Sequence, residues 1–190
     1  MEFKLWKFIW TGIVGMLLMI PIAYTFFYLF DMPRLLTGGL IQNFFALGSA
    51  IGPLIFFFIA AFLGVFIICL VPIHWVIIYT PGDLFGIDLL LAIALPWIAC
   101  CSLMALLTSK NFWDGIFTSL AIGLGFFIVM LVIYLGASVI LAPIGGGAIL
   151  DGIAIGLSDS PFLLAAFLAT MEGAGTGCAF AALIGSIKQE

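Results

Sequence analysis

Charged side chains are scarce in this sequence. They make up 7% of its 190 residues and 66% are hydrophobic, whereas a soluble domain carries about 25% charged residues. The five lysines and arginines are scattered and the net charge is −4, which argues against nucleic acid as a partner. This composition predicts an all-α, polytopic integral membrane protein, embedded in the lipid bilayer of the cell (inner or plasma) membrane through several spans.

Enzyme motifs are missing as well. The sequence has no GxSxG, HExxH, Walker or CxxC pattern, and its one histidine, His74, falls short of the several that a membrane haem protein usually needs. The four cysteines lie inside apolar segments, which favours packing residues over a metal site or a disulfide framework. We therefore expect no enzymatic activity, no metal and no cofactor. His74 lies beside Trp75 and is more typical of a packing residue at the membrane surface than of a ligand.

Long apolar runs fill most of the chain. They predict five full spans, at about residues 8–30, 53–71, 89–107, 115–142 and 161–185. The second helix is also expected to continue past Pro72 to Tyr79. Two shorter apolar pieces, at 35–52 and 144–160, are bounded by glycine. If these pieces are re-entrant or broken, the five spans are the complete set; if the pieces cross, there are six or seven spans.

The two halves of the chain resemble each other. Residues 38–48 align with residues 146–156, a proline follows each segment at the same distance, and Asn43 falls opposite Asp151. Such similarity predicts an internal duplication. We expect the short pieces to be re-entrant, which makes the second unit inverted relative to the first; crossing pieces, the alternative, would make the two units parallel.

The duplication divides one transmembrane domain, residues 1–190, into two units. These are residues 1–80 and 109–190, joined by a connecting span at 88–107. The distribution of positive charge does not decide the orientation. Lys4 and Lys7 favour a cytoplasmic N-terminus, but the five-span arrangement then places three other cations outside, namely Arg34, Lys110 and Lys188.

Small residues recur at every fourth position of the last apolar run. On a helix this spacing forms one stripe, along which another helix can approach closely. The small-residue stripe consists of Ala165, Ala169, Gly173, Gly177, Ala181 and Gly185. Close packing of this kind serves either helices of the same chain or other membrane subunits.

Most acidic residues fall at the predicted ends of spans, in caps or solvated loops. We expect Asp88 to cap the third span and Asp114 the fourth, while Ser160 and Pro161 start the fifth. Two acids have no such position, Asp151 in the second short piece and Glu172 beside the small-residue stripe.

Glu172 lies near the middle of the last predicted span, with Thr176 on the same helical face. One interpretation is a protonated carboxyl that hydrogen-bonds across the helix packing; the other is a group that exchanges protons or cations. Asp151 is either a carboxylate in a solvated turn or a ligand for an ion or polar solute. In the second case Asn43 and Gln42 supply the neutral counterpart from the first unit.

Two functions remain open at this point. The first is membrane transport of an ion or small solute, by a channel, a carrier or the membrane subunit of a transporter, through a site at the interface of the two repeats. The second is a non-catalytic structural subunit, which packs through the small-residue stripe into a homo-oligomer or a larger membrane complex.

Overall fold

The computed structural model describes residues 5–32, 52–79 and 84–188, and contains helices but no strand in these ranges. Within these ranges seven α-helices follow one another, with a short 3₁₀ turn at Ala142–Ile144: α1 Leu5–Leu29, α2 Gly52–Ile68, α3 Ile73–Tyr79, α4 Leu84–Thr108, α5 Phe112–Ile140, α6 Gly146–Ser158 and α7 Phe162–Ile187. The prediction of an all-helical fold is confirmed for the part of the chain that the structure describes. The predicted short piece at 35–52, with Gln42 and Asn43, lies outside the described residues.

Four of the helices, α1, α4, α5 and α7, are long and apolar enough to cross a membrane. A fifth span is counted only if α2 and α3 are taken together, although they are bent by 81° at the break between them. The helix α6 has 13 residues, which is about 20 Å at 1.5 Å per residue and less than the 30 Å of a bilayer core. The described chain is therefore a membrane-embedded helical bundle.

Contacts along α1 and α5 show that these two helices run parallel. Lys7 pairs with Asp114 near the start of each helix, at 2.8 Å between Nζ and Oδ2. Further along, Gly15 lies against Ile122. An inverted second unit would make the two helices antiparallel, so that expectation is wrong. The duplication itself stays a prediction.

The helix α7 runs opposite to α5 and parallel to α4. Its C-terminal half lies against Gly115 and its middle against Gly123, whereas Gly173 and Gly177 contact Trp97 and Cys101 in the same order along α4. The described chain therefore begins and ends at one end of the bundle, together with the loop between α4 and α5. This end carries Lys7, Lys110 and Lys188, and we call it the lysine end.

Large apolar side chains fill the space between the helices. The largest that are fully buried include Trp97, Phe27 and Phe162, and Trp97 packs edge-to-face on Phe126 with ring centroids 5.7 Å apart. Several hydroxyl groups inside donate hydrogen bonds to backbone carbonyls. Ser119, for example, donates to the carbonyl of Ala174 at 2.7 Å. Such pairing is required where no water can replace it.

Three predicted helix starts differ from those observed. Asn111 caps α5 by accepting the N–H of Asp114, so Asp114 lies in the first turn instead of at the cap. Asp88 lies within α4, which begins at Leu84. No side chain of the adjoining turn caps α7, because the acceptor for its first N–H comes from Asp151 on α6.

Candidate functional site

Pro72 determines where the chain breaks between α2 and α3. Proline has no N–H for a helical hydrogen bond and disfavours the helical conformation of the residue before it. The backbone N–H groups of Leu70 and Val71 both donate to the carbonyl of Ile67, and a new helix starts with Trp75 donating to Pro72. The turn is buried, with Cys69, Leu70 and Val71 at most 3% exposed. Such a break leaves backbone N–H groups that need an acceptor from elsewhere.

Glu172 supplies that acceptor from the middle of α7. Its Oε2 accepts the backbone N–H of His74 at 3.0 Å, and its Oε1 contacts Nδ1 of the same residue. The Glu172 side chain is 28% exposed and that of His74 is 49% exposed. Both oxygens of Glu172 are therefore hydrogen-bonded to His74, beside the break between α2 and α3.

The surroundings of this Glu172–His74 pair are tightly packed on one side. The residue after Glu172 is Gly173, which lies directly against the fully buried indole of Trp97. Among the described residues, the buried indole N–H groups of Trp97 and Trp75 have no hydrogen-bond partner. Trp75 follows His74 in sequence and stacks at a tilt on Tyr79, with ring centroids 5.3 Å apart.

Asp151 does not join Glu172 in one site. Its Oδ1 accepts the N–H of Phe162 at 2.9 Å, and its Oδ2 accepts the phenol of Tyr134 at 3.1 Å. Glu172 lies ten residues after Phe162 in α7, which is about 15 Å of helical rise. The two acids thus occupy different levels of the bundle, and each accepts a backbone N–H from the first turn of a helix.

What distinguishes the two acids is the second partner. Asp151 binds a phenol, whereas Glu172 binds an imidazole, which changes its charge near neutral pH more readily than any other side chain. Thr176, which was predicted beside Glu172, donates its hydroxyl to the carbonyl of Gly173 in its own helix at 2.8 Å. The site that the described residues assemble therefore consists of Glu172 and His74.

His74 was not among the ligands predicted from sequence. A signal for it does exist, because a residue two positions after a proline in an apolar run has a first-turn N–H without a helical acceptor. The identity of the acceptor is not contained in local spacing, since His74 and Glu172 are separated by 98 positions.

The small-residue stripe on α7 lies inside the chain. All six of its members are buried. Gly173 and Gly177 pack on α4, Gly185 packs on the α4–α5 loop, and Ala181 packs on Gly115 of α5. The stripe therefore joins helices of the same chain and is covered on the side that a second subunit would need.

Within the described ranges, no group of three or more histidine, cysteine, aspartate or glutamate residues is placed to hold a metal ion. No protein-family model, no curated protein and no solved structure matches this chain. The geometry of the Glu172–His74 pair is therefore the observation from which we infer a function.

Proposed function

We propose that this protein transports an ion or a small solute across the membrane, with Glu172 and His74 as the ionisable group of its transport site. The observation that carries this proposal is the bond between the pair, which joins the middle of α7 to the break between α2 and α3. A carboxylate at this depth is costly, and in membrane bundles such groups mark ion pathways and relays.

The break supplies the second element that transport needs. Discontinuous helices in transporters expose backbone groups near the middle of the bilayer and bind ions or polar solutes there. Here Glu172 fastens the start of α3 to α7, so a change in the charge of Glu172 or His74 alters the contact that holds the two helices together. We propose that loading of the pair tightens this contact and unloading loosens it, so that α3 moves relative to α7.

The alternative function, a structural subunit that assembles through the small-residue stripe, has less support because the stripe is buried. The stripe packs on α4 and α5 of the same chain, so partner binding through it would require the bundle to open. Transport is accordingly the function that we propose.

The test is ion and solute flux through purified protein in lipid vesicles. Glu172→Gln keeps an oxygen for the backbone N–H of His74 but cannot ionise. We expect it to fold like the parent and to reduce flux to the level of empty vesicles, because the structural hydrogen bond survives and only the charge is lost.

Asp151→Asn is the matched control. It makes the same change from acid to amide at the other acid that accepts a first-turn N–H, and we expect its flux to equal that of the parent. Parent protein that carries no ion or solute would contradict the proposal. Equal flux in the parent and in Glu172→Gln would remove Glu172 from the transport site.

A further inference from the structure

The hydrogen bonds of Glu172 relate its charge to the tautomer of His74. When Glu172 is ionised its oxygens can only accept, so the contact between Oε1 and Nδ1 then requires the hydrogen to be on Nδ1. In a neutral imidazole with its hydrogen on Nδ1, the free lone pair is on Nε2. The open position of the pair is therefore Nε2 of His74, on a side chain that is 49% exposed.

We propose that the ion bound by this pair is a proton, taken up at Nε2 of His74. This inference deepens the proposed function and rests on it, because it names the ion that the transport site exchanges. Uptake of one proton forms the Nε2–H bond, breaks neither hydrogen bond to Glu172 and changes the charge of the pair from −1 to 0. Release breaks the same N–H bond and returns a proton to the medium, without any electron transfer.

A metal cation fits the same place poorly. Sodium and calcium are bound by several oxygen ligands, and zinc in proteins normally has at least three protein ligands. Both oxygens of Glu172 already accept hydrogen bonds from His74, and the described residues offer no third acidic, thiol or imidazole group at the pair.

The other titratable groups on the elements around the pair are located elsewhere. In the described ranges, none of them makes a hydrogen bond or ion pair with Glu172 or His74. They are Cys69 before α3, Tyr79 on α3, Asp88, Cys100 and Cys101 on α4, Asp114 and Tyr134 on α5, Asp151 on α6, and Cys178 on α7. Proton uptake is therefore assigned to the pair itself, at Nε2 of His74.

The chain contains one histidine, so labelling with ¹⁵N-histidine reports on His74 alone. We would record solid-state NMR spectra of the labelled full chain in lipid bilayers from about pH 5 to about pH 9, the range in which histidine ordinarily changes charge. We expect Nδ1 to carry a hydrogen throughout, Nε2 to gain one as the pH falls, and neither shift to change when Na⁺ is replaced by K⁺ or when Zn²⁺ is added. The Glu172→Gln variant should lose the fixed tautomer, because an amide can donate as well as accept.

An Nδ1 without hydrogen in the neutral form would overturn the inference, as would an Nε2 shift that follows Na⁺ or Zn²⁺ instead of pH. The parent spectra alone decide this, so a variant that fails to fold does not weaken the test. The proposed function fails separately. Proton binding at His74 with no flux of any ion in the same vesicles keeps the proton site and overturns its role in transport. Sodium-dependent flux with a His74 that does not gain a proton keeps the proposed function and overturns the proton as its ion.

Discussion

Gly173 lies where α7 crosses the indole of Trp97. A Cβ at this position would overlap the ring, which is fully buried and packed on Phe126. Two residues further on, a Cβ at Gly175 would meet nothing within 4 Å. Both glycines are in α7, but only Gly173 is required by the close approach of a neighbouring helix.

The same substitution at these two glycines should have opposite effects. Gly173→Ala should destabilise the protein by about 1–3 kcal/mol, because the buried ring cannot move away without disturbing the core. Gly175→Ala should be neutral or stabilise by up to about 1 kcal/mol, because alanine favours the helix more than glycine does. Thermal unfolding in detergent measures both. Equal melting temperatures for the two variants would mean that α4 and α7 do not approach as closely as described.

At the scale of helices, α6 acts through one side chain. It is too short to cross a bilayer. One oxygen of its Asp151 accepts the first N–H of α7, and the other accepts the phenol hydroxyl of Tyr134 on α5. One carboxylate thus ties α5, α6 and α7 together. A cap of this kind depends on an acceptor oxygen, and an amide can supply one as well as a carboxylate.

Substitutions of Asp151 therefore separate a cap from a ligand. Asp151→Ala should lower the free energy of unfolding by about 0.5–2 kcal/mol, the usual effect of removing a cap. Asp151→Asn should stay close to the parent, because the oxygen that accepts the N–H of Phe162 remains. The measurement is thermal unfolding together with flux. If the asparagine variant unfolds like the parent but loses flux, Asp151 belongs to the transport site, as one interpretation of the sequence had it.

The sequence was informative about helices and uninformative about what joins them. The last span was predicted at 161–185 and observed at Phe162–Ile187, because the length of an apolar run sets the length of a span. The acceptor for its first N–H was expected at Ser160 and comes from Asp151 instead. The bond between His74 and Glu172 depends on packing across 98 positions, and no local pattern encodes such a contact.

At the scale of the whole molecule, the lysines of the described residues lie at one end of the bundle. Lys7, Lys110 and Lys188 lie together at the lysine end, where Lys188 also donates to the carbonyls of Leu106 and Ser109. Exposed tryptophans belong to the same end, at positions 6, 10 and 113. The parallel course of α1 and α5 removes the conflict in the sequence-based assignment, which had placed Lys110 and Lys188 opposite Lys7. Lysine-rich ends of membrane bundles face the cytoplasm, and aromatic belts mark the membrane surface.

We therefore expect the lysine end in the cytoplasm and the α6–α7 turn on the opposite side of the membrane. Single cysteines report this directly: Lys110→Cys at the lysine end and Ser160→Cys in the turn, each treated with a membrane-impermeant maleimide on intact cells. The Ser160→Cys variant should be labelled at once, and the Lys110→Cys variant only after the membrane is permeabilised, because the bilayer separates the two positions.

The parent chain is the control for this experiment. Three of its cysteines are buried and Cys178 is partly buried, all within apolar segments, so it should take up little reagent. Labelling of both variants on intact cells would place the two positions on one side and contradict the crossing of α5 and α7. Labelling of Lys110→Cys on intact cells, with Ser160→Cys labelled only after permeabilisation, would keep the arrangement of the helices but reverse its orientation in the membrane. The lysine end would then face the outside.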